Sequence, residues 1–411
     1  MGRALRFFYV WRRSVVNPVM NSLKQASIDW RLVMMGTVLA AIAIVFNILS
    51  GGLFMSPENL YNIAQQTAVV GVVATVVVLV IVARHIDLSV GSVMGFVGVL
   101  IATLMYTGGW HWVPASLAGL AVAIAVSLYQ GALTAKLGVP SFVVTLGGLM
   151  SFRGAAFLVA DGKTQPVNDL FFQRLGGGFD GAIGVSASWA LAVAIVLALV
   201  LQMWAKRRAK ASYEVPNNPL WLDALMVLVP VILVVGFVAA MNRYQIPSKD
   251  APQGVPIPVL IWASVALVLS FIVHRTRFGR YVFAMGGNPE AAALVGIPVR
   301  KVTLMLFALM GVLITIAAMV SIARLNAGTN SLGTSMELYV IAAAVIGGTA
   351  LAGGSGSIVG SVLGALIMQS IDSGMLLLDV SIGVRYVIIG QVLIAAVVFD
   401  VIYRRMTGDT V

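Results

Sequence analysis

The sequence predicts an all-α, polytopic integral membrane protein with about twelve transmembrane helices. Three observations predict it. Of 411 residues, 60% are hydrophobic and 10% charged, whereas soluble domains are about 25% charged. Apolar runs of roughly 20 residues, long enough to cross a bilayer, recur along the whole chain. Without water in the lipid, such runs must be helices. Third, basic residues crowd into alternate connecting segments, as they do in the loops of membrane proteins that stay in the cytoplasm.

The net charge of +11 follows from that bias and does not point to nucleic acid. The absence of cysteine removes disulfides, thiol nucleophiles and cysteine-based metal sites. His85, His111 and His274 are too scattered for a metal site.

In chain order, residues 1–31 form a basic tail (Arg3, Arg6, Arg12, Arg13, Lys24 and Arg31 against Asp29). Leu5 to Trp11 is apolar and aromatic between arginines and suits the membrane interface. The first long apolar run begins only near Leu32, which predicts an uncleaved cytoplasmic tail rather than a secretory signal. Spans are predicted at 32–49, 60–83, 89–107, 113–136, 141–160, 187–205, 221–241, 257–273, 302–323, 337–352, 358–378 and 385–403. Most of the 26 basic residues then fall on one side, so both termini are predicted to be cytoplasmic. The first transmembrane half is 32–273, with an extra helix pair near 187–258. The second half is 302–403, followed by a tail at 404–411. Two outer loops are long: 161–186, with Gly176-Gly177-Gly178, and the proline-rich 242–258.

Between the halves lies a strongly basic segment, 274–301. Arg275, Arg277, Arg280, Arg300 and Lys301 face only Glu290 there. At its centre both ends of a short helix are marked. Asn288 is a good N-cap, Pro289 suits the first helical position, and Glu290 complements the positive end of the dipole. Ala291, Ala292 and Ala293 favour helix, while Gly296 and Pro298 stop it. A capped helix between hydrophobic walls suggests a handle gripped from outside the membrane.

Val90-Gly91-Ser92-Val93-Met94-Gly95 matches Val359-Gly360-Ser361-Val362-Leu363-Gly364. Each follows a span and a polar break, at 84–89 and 353–357, as in transporters built from repeats. Gly91, Gly95, Gly356, Gly360 and Gly364 are spaced to let helix backbones approach closely, a packing role that moving helices also use. Arg153 and Asp372 lie within spans, with Asp87 and Glu337 near ends. Such groups form either a polar pathway or static interhelical pairs. Gly162-Lys163-Thr164 is no phosphate loop, because Phe157 stands where its first glycine is needed. Nothing supports catalytic chemistry or a cofactor in this chain.

These residues carry a resemblance. The chain resembles the permease subunits of bacterial ABC sugar importers of the ribose/xylose/galactose type. It does so through Ile86–Ser92, Gly138–Gly148, Phe278–Ile297 and Ala342–Ser357, and the likeness runs from about residue 59 to 403. The resemblance implies a type II-like ABC importer fold. It also implies a homodimer beneath a periplasmic sugar-binding protein, with two cytoplasmic ATPase copies or one duplicated ATPase using ATP and Mg. Residues Arg280, Gly286, Gly287, Asn288, Pro289, Glu290, Ala291, Ala292 and Gly296 would couple to that ATPase. Family members commonly have about ten spans, and the excess around 200–258 is similar to the xylose permeases, so D-xylose is the expected sugar. A neutral sugar needs no counter-charge, and Asn62, Gln65 and Gln66 are candidates for its pathway. The competing reading is an ion-gradient-driven secondary transporter of a small polar solute, with Asp87 as its ion site. A scaffolding membrane protein would not need the capped helix.

Overall fold

The computed structural model describes residues 30–178, 180–213, 219–246 and 251–407. The tail readings, including the interfacial stretch at 5–11, lie outside them. Among the described residues, ten helices are long and apolar enough to cross a membrane, and two further apolar helices are shorter. In order, the apolar helices are α1 (Trp30–Leu49), α2 (Pro57–Val82), α3 (Val90–Tyr106), α4 (Trp112–Leu137), α5 (Ser141–Val159), α7 (Val185–Ser212), α8 (Leu220–Arg243), α9 (Ile257–Arg275), α12 (Val299–Leu325), α13 (Met336–Ile346), α14 (Ile358–Leu377) and α15 (Ile382–Thr407). Between them lie the short α6 (Leu170–Arg174), α10 (Arg277–Gly287) and α11 (Pro289–Leu294).

The chain divides into two compact units. The smaller is built on Gly184–Gly254, and the larger combines Met34–Ile183 with Val255–Val411. In the smaller unit α7 and α8 pack on each other, and Arg207 donates to the Asp223 carboxylate. In the larger unit the stretches on either side of 274–301 interleave. Helix α12 runs along α4, and α2 packs against α12, α14, α9 and α13.

Helix α2 is the axis of the larger unit. Its stretch from Thr67 to Val82 is rich in valine, which in water favours strand. In lipid the backbone must satisfy itself, so it is helical, and here it is buried along almost its whole length. Ser56 caps it by accepting from the Asn59 N–H at 3.2 Å.

The connections of the larger unit gather at two ends. One, called here the basic end, holds 83–89, 138–140, 276–298 and 347–357. At the other, the loop end, β1 (Gln165–Pro166) pairs antiparallel with β2 (Ala327–Gly328), with Gln165 opposite Gly328. There Gly177, at φ +72°, presents a carbonyl that accepts from the Gln65 amide and from the Tyr61 hydroxyl.

Irregular backbone interrupts the helical pattern at two places. Before α3 the backbone at 84–89 is unwound, and three of its N–H groups are taken up by side chains. Ile86 donates to Ser141 Oγ at 3.0 Å, Leu88 to Thr145 Oγ1 at 3.1 Å, and Ser89 to Asp87 Oδ1 at 2.8 Å. The second interruption corrects the predicted span at 337–352. The helix there, α13, has only 11 residues, about 17 Å long, against a hydrocarbon core of about 30 Å. It stops at Ile346 because Gly348, Gly353 and Gly354 hold φ between +76° and +95°, a region helices exclude. Its missing half is replaced by an entry segment of consecutive turns at 329–335, which lies against α3.

Glycines make that segment possible. A Cβ at Gly91 would overlap the Gly333 carbonyl, and one at Gly95 the Leu332 carbonyl. Gly360 and Gly364 meet the carbonyls of Gly347 and Ala343 in the same manner. The two copies of the repeat thus grip the entry to α13 and its exit. The copy at 90–95 holds turn backbone there, not the second helix that its spacing suggested. Arg153 completes the hold by donating to the carbonyls of Asn330 (3.1 Å) and Leu332 (2.9 Å).

Candidate functional site: a capped segment and a polar cavity

At the basic end the chain turns from α9 into α10, a helix the sequence reading did not resolve. Thr276 starts it by accepting from the Gly279 N–H at 3.4 Å. Helix α11 follows with the expected signals in place. Asn288 Oδ1 accepts from the Ala291 N–H at 3.0 Å, Pro289 opens the helix and Glu290 lies in its first turn. Gly296 closes it at φ +85°, with its N–H on the Ala293 carbonyl and the Ile297 N–H on that of Ala292, each at 3.0 Å.

The segment divides into an inner and an outer face. Ala292 is buried at 4% exposure, and Gly286 packs on the Val82 carbonyl, so neither presents a side chain outward. Arg280, Gly287, Asn288, Glu290, Ala291 and Gly296 are exposed, and Pro289 is half-buried. Beside them Leu294 (89%) and Val295 (78%) project almost fully. Sequence reasoning missed these two because it looked for the ends of the helix and not for its apolar tip.

The segment is tied to the centre of the bundle. Arg84 donates from Nε to the Gly286 carbonyl and from Nη2 to that of Gly287, both at 2.6 Å. The Gly354 N–H donates to the Val82 carbonyl at 2.9 Å. The end of α2, the capped segment and the glycine-rich turn therefore meet at one place.

Toward the loop end an open cavity of ≈ 290 Å³ lies between α2, α12, α14 and the entry segment of α13. Gln66, Ser321, Arg324, Thr329, Ser331, Thr334, Tyr339 and Gln369 contribute its polar groups, and no carboxylate lines it. Gln369 Nε2 donates to Gln66 Oε1 at 2.9 Å. Tyr339 donates to Asp372 Oδ1 at 2.9 Å, and that oxygen also accepts from Arg385 Nη2 at 2.6 Å.

The sequence candidates therefore separate. Gln66 lines the cavity. Asn62, one turn away on the same face of α2, is exposed. Gln65 is buried and braces the Gly177 loop, away from the cavity. Of the charges within spans, Arg153 clamps the entry segment and Asp372 pairs with Arg385. Asp87 is a local cap whose Oδ1 takes both the N–H and the hydroxyl of Ser89. That contact gives Asp87 a local structural role beside α3. The signal that would have found Arg324 is its position at the end of an apolar run, where no acidic residue follows before Glu337.

A half-length helix beside a polar cavity without carboxylates, with a capped segment exposed at one end, is the frame of a membrane transport subunit. The chain belongs to the family described as "Branched-chain amino acid transport system / permease component", whose model matches residues 59–397. Similar proteins include the xylose transport system permease protein XylH of Haemophilus influenzae. It is 36% identical over 377 residues, covering 92% of this chain and 98% of the relative. XylH of Escherichia coli K12 is 34% identical, covering 92% and 94%. The ribose import permease protein RbsC of the same strain is 31% identical, covering 84% and 87%. No solved structure matches. The chain is thus a multi-pass permease component of this transport family. It is not itself catalytic, and the ATPase is a separate chain.

Proposed function

We propose that this permease carries a pentose, D-xylose, across the bacterial inner membrane with both termini in the cytoplasm. It works as a homodimer, takes sugar from a periplasmic binding protein, and is driven by two copies of a cytoplasmic ATPase, or one duplicated ATPase, using ATP and Mg. The observation that carries the substrate class is the cavity wall. It offers amides, hydroxyls and one guanidinium, with no carboxylate. A branched-chain amino acid, the solute in the family's description, would bring an ammonium group that this wall has nothing anionic to receive. A neutral polyol needs only donors and acceptors. The named sugar of the XylH relatives supports xylose among the polyols.

The coupling assignment rests on α11. Its exposed tip, Leu294 and Val295, is apolar and lies on the segment bonded to α2. An ATPase groove receiving that tip removes it from water. The chain has no cysteine, so a single cysteine at Leu294 can be crosslinked without background, with buried Ala292 as the control position. Crosslinks to the ATPase from 294 and not from 292 are expected; none at any groove position in an assembled complex would sink the assignment. Uptake of labelled xylose should stop on ATP depletion, persist when ion gradients are collapsed, and resist competition by galactose.

A further inference from the structure

Arg324 is the charged residue of the cavity wall, and its charge has no counterpart among the described residues. The other arginines that reach into the bundle are engaged: Arg84 with two carbonyls, Arg153 with two carbonyls, Arg385 with Asp372. Among the described residues Arg324 has no ion pair or hydrogen bond from its guanidinium. It is nevertheless half-buried, where unsatisfied donors are costly. A plainer role is available, since Arg324 lies in the last turn of α12, where a cation complements the helix dipole and a long side chain can reach toward water. That role accounts for a positive charge. It does not account for placing the charge in the wall of a polar cavity.

The neighbouring groups complete a donor and acceptor set. The bond between Gln369 and Gln66 uses one amide donor and one amide acceptor, leaving the Gln66 NH₂ and the Gln369 carbonyl oxygen. Thr334 donates to the Ser331 carbonyl at 2.7 Å, so its hydroxyl oxygen is left as an acceptor. The volume, ≈ 290 Å³, is at the lower limit of small-molecule sites, about 300 Å³.

We propose that Arg324 is a specificity-determining residue of the transport path, its planar fork donating to two adjacent hydroxyl oxygens of a pentose held in this cavity. Gln66 donates to a third hydroxyl, and the Gln369 carbonyl accepts from one. A guanidinium suits this because its donors are fixed in a plane, whereas an ammonium is a point charge. The inference rests on the sugar-permease reading and narrows it to one site.

The test uses the full complex in proteoliposomes, with saturating binding protein loaded in turn with D-xylose, L-arabinose or D-ribose. Sugar turnover and ATP hydrolysis are measured together. Arg324→Lys keeps the charge at the helix end and the reach toward water but lacks the fork. It is expected to lower xylose turnover about tenfold, to change the ratio among the three sugars, and to raise the ATP hydrolysed per sugar moved. Gln66→Asn, which withdraws the amide from the cavity, is the second variant and should also change that ratio. Wild-type turnover and ratios in Arg324→Lys would overturn the proposal, as would equal losses for all three sugars in both variants. A wild-type complex that moves none of the three would instead overturn the sugar reading itself, and this inference with it.

Discussion

The chain changes direction irregularly in two places, and they are specified in different ways. The capped segment around α11 is written locally. Its N-cap, first-turn proline, acid and terminating glycine all lie within residues 288–296, and the cap and the glycine bond within that stretch. The entry segment and half-length helix around α13 are specified from elsewhere. Their backbone path is permitted by glycines in α3 and α14 and fastened by Arg153 from α5. Local signals suffice for a part that must be displayed, whereas a part that must lie inside the bundle needs its neighbours shaped to admit it.

Substitutions can break this contrast at graded strength. The largest effect is expected from Gly360→Val, which sets a branched side chain against the Gly347 carbonyl. Overpacking against backbone should cost about 3 kcal/mol and appear as a large fall in thermal midpoint or in folded yield. Arg153→Met comes next. It leaves two carbonyls without donors, about 2 kcal/mol, and frees the entry segment. A cysteine at Thr334 should then label faster with a thiol reagent than in the parent. Asn288→Ala should cost about 1 kcal/mol, confined to α11, so ATP-coupled uptake falls while the thermal midpoint of the bundle is unchanged. Smallest is Gly296→Asn, at a few tenths of a kcal/mol, since asparagine tolerates the left-handed region. Gly296→Ala should cost more, and measured uptake should rank the two. If Asn288→Ala lowered the midpoint as much as Gly360→Val, the separation into local and non-local parts would be lost.

The same contrast marks how far the sequence could be read. Spans, their order and the caps of α11 were legible because apolar runs and capping residues act within a few positions. The end of α13 was not. Residues 347–352 are apolar or small, so hydropathy carries the span onward to 352, while the chain turns where Gly348, Gly353 and Gly354 take positive φ and Gly347 packs closely on Gly360. Asp87 suggested an ion site by its setting and proves to be occupied by Ser89. Gln65 and Gln66 are adjacent in sequence, yet the helix sends one to the Gly177 loop and the other to the cavity. A 100° step per residue decides that, and the phase becomes visible only once neighbours are placed. Arg324 escaped notice for a similar reason, because its meaning lies in the absence of a partner that only coordinates reveal.

Helix α2 joins the two parts of the site. Arg84, just past its end, holds the carbonyls of Gly286 and Gly287, and Gln66 stands in the cavity wall 18 residues earlier on the same axis. From Gln66 to the helix end at Val82, at 1.5 Å per residue, that is a shaft of about 24 Å, uninterrupted by proline. Short hydrogen bonds at its foot leave almost no backlash. In the proposed coupling, a thrust on α11 is passed along this shaft to the Gln66–Gln369 contact, so the cavity is the far jaw of a lever whose handle is the capped segment.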